Sequence, residues 1–215
     1  MDEESEAENL TWEKNRVEAL TDGVFAFAMT LLVTSLILPH ATEAPSLTAA
    51  GALILLIPDF IHYVIAFFIL AAFWTAHHLQ FNQIRFITRP FLSLNIITLF
   101  LVTLVPFTTS FVGDYPDTLA SVVFEFNLMM LGLMMYVQWY YASHNRRLIS
   151  PRYPEYKVQR SLYRNLVIPF LSFVGVLLAL AGSHNSTMIY LLSPFVPYAV
   201  DRYFPEKQGG GEREG

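Results

Sequence analysis

Long uncharged runs alternate with short polar breaks along this chain. The runs cover residues 23–42, 60–84, 90–113, 118–145, where Glu125 is the only charge, and 165–200. A helix needs roughly twenty apolar residues to cross a bilayer core. The first four runs each suit one crossing, and the fifth is too long for one. Within it, Gly182-Ser183-His184-Asn185-Ser186-Thr187 has the composition of a turn. Dividing the run there predicts an all-α membrane protein with six transmembrane helices per chain. Residues 46–57 are apolar but short, which predicts an interfacial or re-entrant helix. Pro58 then suits the first turn of the second span, where its missing donor costs nothing.

The rest of the reading is organised around the first span. Residues 15–39 carry Arg16, Glu18 and Asp22 in their opening turns, and no further charge follows until Glu43. Ionisable groups at the mouth of a membrane helix are expensive and point to function. On a helical wheel Phe27, Leu31, Thr34 and Leu38 fall on one stripe, with Thr30 beside them. Bulky apolar rings with interspersed hydroxyls suit the wall of a pore lined by helix 1 of each subunit in an oligomer. The plain alternative is ordinary packing, with the threonines bonding back to the preceding turn.

Charge fixes the expected orientation. All thirteen Lys and Arg residues fall on one side of a six-span layout, from Lys14 and Arg16 to Arg202, Lys207 and Arg213. The opposite loops hold Glu43, Asp59, Asp114 and Asp117 and no base, so both termini are expected to be cytoplasmic. Composition adds little beyond this. The chain has 215 residues, 54% of them hydrophobic, with no cysteine and hence no disulfide or thiolate metal site. The net charge of -5 resides in the acidic stretch 1–9, expected to be a solvated cytoplasmic tail. Residues 10–205 form the six-span domain and 206–215 a flexible cytoplasmic tail. No basic soluble domain is present to bind nucleic acid, and no cofactor or resident metal is expected.

Asp22 points away from the Phe27 stripe and needs hydrogen-bond donors if another helix covers it. Trp74 and His77 lie at matching depth on the returning second span, three residues apart on one face. The expectation is an Asp22–His77–Trp74 network, with Arg16 and Thr21 nearby, pinning helix 1 to helix 2.

With these residues in place a resemblance can be stated. Arg16-Val17-Glu18-Ala19-Leu20-Thr21-Asp22 resembles the Arg-x-x-x-Phe-Ser-Asp signature of the transmembrane protein 175 family, endosomal and lysosomal potassium channels with prokaryotic homologues. Leu20 replaces the signature Phe and Thr21 the Ser. Trp74-x-x-His77-His78 and Val105-Pro106-Phe107-Thr108-Thr109 resemble the family's second- and third-helix motifs, and the layout extends the likeness over about residues 10–205. The resemblance implies a potassium-permeable channel lacking a Thr-Val-Gly-Tyr-Gly filter. Helix 1 would line the pore, Phe27 and Leu31 would form the hydrophobic constriction, and Thr30 and Thr34 would contact transient K+. A chain with one six-span repeat would assemble as a homotetramer in membrane lipid. A prokaryotic source would place it in the plasma membrane as a multi-pass protein.

The alternatives are a secondary transporter or a proton-leak pathway. A transporter would be expected to show related halves and paired broken helices, and no convincing similarity links the first and last three spans. An enzyme is disfavoured: His77 and His78 diverge around their helix, and no His-Glu-x-x-His pattern is present. Glu125 reads either as a proton or cation site, as a partner of Asn127 or a neighbouring helix, or as a residue near the outer interface. Asp59 and His62 read as a helix start or a cation-attracting mouth, and Val112-Gly113-Asp114-Tyr115 as a turn.

Overall fold

Apolar helices joined by short loops make up the computed structural model, which describes residues 2–38, 46, 48–115, 117–183 and 186–193. In chain order the helices are α1 (Asp2–Leu31), α2 (Ala49–Leu55), α3 (Ile57–Phe81), α4 (Arg89–Asp114), α5 (Thr118–Ser143), α6 (Glu155–Asn165) and α7 (Val167–Leu180). Tighter 3-10 segments follow α1 at Leu32–Ser35 and α7 at Ser186–Leu192. Five stretches among the described residues are long and apolar enough to span a bilayer: Lys14–Ser35, Ile57–Phe81, Arg89–Asp114, Thr118–Arg146 and Glu155–Leu180. The sixth expected span starts in the Ser186–Leu192 segment and continues into residues outside those described.

Local chemistry explains where the helices begin. Pro58 occupies the first turn of α3, with Asp59 beside it at the positive end of the helix. Thr48 caps α2 by accepting from the Gly51 N–H at 3.1 Å, and Asp117 caps α5 by accepting from Ala120 N–H at 2.8 Å. α2, at seven residues, is too short to cross a bilayer. Val112, Gly113 and Asp114 complete the last turn of α4 rather than forming a separate loop. α1 starts at Asp2, so its first turns run through the acidic stretch. Glu and Ala are strong helix formers, and carboxylates favour a helix N-terminus.

The tightest packing joins α5 to α4 and α7. A Cβ placed on Gly132 of α5 would stand 2.5 Å from the Pro169 ring of α7, so these backbones meet at a distance that only glycine allows. α1 lies against α3 and α4 through Phe25, Ala28 and Leu32, all buried in one core with Ile69, Phe73 and Val102. A second cluster closes the basic end, where Phe81, Phe91, Trp139, Leu148 and Val158 pack together. There Ile84 and Ile149 form an isolated antiparallel bridge.

Candidate functional site

Two faces of α1 behave differently, because its apolar residues are divided between them. Phe25, Ala28 and, in the 3-10 segment that continues α1, Leu32 are buried, while Phe27, Thr30 and Leu31 of α1, Thr34 of the 3-10 segment and Leu38 beyond it are exposed in the single chain. Phe27 is 65% exposed, which for a phenylalanine in the middle of a helix leaves a large apolar surface without a cover. Beside the stripe runs an apolar groove of about 460 Å³, floored by Gly23 and walled by Phe27, Leu31 and, from α4, Thr103.

The threonines on this face are already partly committed. Thr30 Oγ1 donates to the Phe27 carbonyl at 2.8 Å and Thr34 Oγ1 to the Leu31 carbonyl at 2.6 Å. Each hydroxyl proton is therefore turned into the helix's own backbone. What remains on the outer side is oxygen lone-pair density, which accepts and cannot donate.

On the covered side α1 is held by a polar network. Trp74 Nε1 of α3 donates to Asp22 Oδ1 at 2.8 Å. At the adjacent position Thr21 Oγ1 donates to the Val17 carbonyl at 2.9 Å, so it can only accept from Asn95 Nδ2, 3.0 Å away. That fixes the Asn95 amide with Oδ1 turned to His77 Nε2 at 3.0 Å and Gln138 Nε2 at 2.9 Å. An amide oxygen cannot donate, so His77 carries its proton on Nε2. The His77 ring lies on Phe81 with centroids 4.1 Å apart.

The expected network is thus rearranged. Trp74 and Asp22 meet, but His77 turns to Asn95 instead of Asp22, and Thr21 enters through the same asparagine. Asn95 and Gln138 were not singled out from the sequence. The available signal was an amide inside an apolar membrane run, Asn95 alone in 90–113 and Gln138 in the run that also holds Asn127, since such groups need partners. His78 was likewise missed: its Nδ1 lies 3.6 Å from Glu18 Oε1, and its ring stacks on Trp74. Arg16 is exposed and lines a cleft of about 570 Å³ with Leu20, Thr88 and Arg89.

The remaining candidates sit elsewhere. Glu125 is fully buried, accepts from the Tyr190 hydroxyl, and so is not exposed at an outer interface. Asn127 donates to Thr108 Oγ1 at 3.2 Å rather than to Glu125. His62 reaches Thr187 Oγ1 at 3.1 Å, tying the N-terminal part of α3 to the Ser186–Leu192 segment. Among the described residues no group of three His, Cys, Asp or Glu side chains could hold a metal ion.

Comparison with known proteins finds relatives of this chain. The family model described as endosomal/lysosomal potassium channel TMEM175 matches residues 16–106, which include the α1 stripe, Trp74, His77 and Asn95. A potassium channel of Streptomyces collinus is 30% identical over 146 residues, covering 65% of this chain and 69% of its own. A potassium channel of Chamaesiphon minutus is 29% identical over 178 residues, covering 78% of this chain and 88% of its own. The crystal structure of a lysosomal potassium-selective channel TMEM175 homologue from Chamaesiphon minutus superposes with a TM-score of 0.70 at 26% identity. That likeness covers 89% of this chain and 96% of the other.

Proposed function

This chain belongs to the TMEM175 family, and on that premise we propose that it forms a potassium-permeable channel in which α1 of each subunit lines the pore of a homotetramer. The observation that carries the reading is the uncovered stripe of α1, within the segment that matches the family. Phe27 and, one turn further out, Leu31 form the hydrophobic constriction. Thr30 and Thr34 offer acceptor oxygens to a partly dehydrated K+, because their protons already bond the helix backbone. No Thr-Val-Gly-Tyr-Gly loop occurs in the chain, so selectivity falls to these rings and hydroxyls. The Asn95 network on the opposite face holds α1 at a fixed rotation. Both termini lie in the cytoplasm, on the side that carries every Lys and Arg.

Flux measurements test this directly. The chain reconstituted in liposomes is expected to pass K+ down its gradient without a counter-substrate and without saturating at low concentration. Phe27→Ala, which widens the constriction, is expected to raise flux or lower selectivity. Saturating, exchange-dependent flux would identify a transporter instead.

A further inference from the structure

Far from the α1 stripe, a cleft of about 500 Å³ opens between α3, α5 and α6 at the basic end of the molecule. Its two walls differ in chemistry. Ala72, Thr75 and Leu79 of α3 supply one wall, and Lys157, Arg160 and Arg164 of α6 supply the other. These bases are spaced three and four residues apart, so they share one helix face. Among the described residues no acidic side chain lines the cleft. The nearest acid on α6, Glu155, is taken up by Arg146 at 2.7 Å and by Gln159 at 3.0 Å.

The cleft is a built feature rather than a loose gap. Gln80 Nε2 of α3 donates to Ser161 Oγ and Asn165 Oδ1 of α6, both at 3.1 Å. Asn165 Nδ2 in turn donates to the Met135 carbonyl of α5 at 3.2 Å, and Trp139 Nε1 donates to the Val158 carbonyl at 3.3 Å. Four hydrogen bonds therefore hold α6 against the other two helices and fix the basic face over the α3 wall. That wall continues along the span. Phe68, Ala72, Thr75 and Leu79 recur at helical spacing and are all exposed.

A basic pocket at the polar end of an exposed apolar strip has a specific chemical complement. We propose that this cleft binds an anionic phospholipid, with its headgroup phosphate against Lys157, Arg160 and Arg164 and an acyl chain along Phe68, Ala72 and Leu79 of α3. Charge complementarity selects the anionic headgroup. The apolar strip selects a lipid over a free anion, which would have no use for it. The polar α6 leads directly into the apolar α7 within the candidate span Glu155–Leu180, so the basic face sits where a spanning helix leaves the hydrocarbon.

Native mass spectrometry of the full chain in nonionic detergent, offered equal phosphatidylglycerol and phosphatidylcholine, tests the site. The wild-type protein is expected to retain phosphatidylglycerol preferentially. Lys157→Gln/Arg160→Gln/Arg164→Gln is expected to lower that retention about tenfold. Arg147→Gln/Arg152→Gln, which removes charge outside the cleft, is expected to leave it unchanged. Ala72→Trp keeps every charge but fills the apolar wall, and it too should lower retention; it decides the matter if the triple variant does not fold. Equal retention of both lipids, or retention by Ala72→Trp equal to wild type, would overturn the proposal. So would complete displacement of the lipid by millimolar inorganic phosphate, which would mark a free-anion site.

Discussion

Asn95 takes part in three hydrogen bonds to three different helices, and this makes it the most consequential single side chain in the network. Replacing it with the similarly sized Leu leaves His77 Nε2 and Gln138 Nε2 without their acceptor in a buried site. Each stranded buried donor costs about 1–3 kcal/mol. Trp74→Phe removes one bond to a half-buried carboxylate, for about 1.5 kcal/mol, against two stranded donors at Asn95. Thermal unfolding in detergent should therefore rank Asn95→Leu well below Trp74→Phe, and equal melting temperatures would deny Asn95 its central role. The sequence made one half of this network visible. Asp22 announces itself as a charge in a membrane helix, and depth matching leads to Trp74. Asn95 does not, because one amide in an apolar run says that a partner exists without saying which helix provides it. His77 was consequently assigned to the carboxylate, whereas the amide of α4 lies within its reach.

At the scale of the helices, the closest contacts are governed by glycine. Gly132 faces Pro169, and a Cβ on Gly175 would stand 2.4 Å from the Glu125 carboxyl group. Gly23, by contrast, has nothing within 4 Å of where a Cβ would sit. Gly132→Ala forces α5 and α7 apart and should destabilise the protein by about 1–3 kcal/mol. In the isolated subunit Gly23→Ala should be neutral or stabilising, by up to about 1 kcal/mol of helix propensity. Chemical denaturation of the two variants checks the contrast, and a tolerated Gly132→Ala would show that the interface can relax. The first five spans were readable because uncharged length is a strong signal in membranes. The α5–α7 contact was not, since apolar runs carry no information about which faces touch. Glu125 was ambiguous for the same reason: its partner Tyr190 lies 65 residues further along the chain.

For the molecule as a whole, the uncovered face of α1 is a statement about assembly. The chain has no cysteine, so a single introduced thiol reports on one position without background. If copies of α1 converge on a common axis, Leu31→Cys should form intersubunit disulfides on mild oxidation, giving bands at twice the 24.5 kDa chain mass. Phe170→Cys, at a still more exposed position on α7, should stay monomeric on the same gel. Cross-linking at Phe170 but not at Leu31 would place α7 at the centre instead and overturn the pore assignment.

The ladder of bonds through Asn95 also sets a schedule for biogenesis. Thr21 and His77 leave the ribosome before Asn95, and Gln138 follows all three. The early spans thus enter the bilayer with hydrogen-bonding groups still waiting for a counterpart, and the set closes only when α5 arrives. A nascent chain halted before residue 138 would hold an incomplete set, which makes the interval between α1 and α5 the period when quality-control proteases should find this protein most vulnerable.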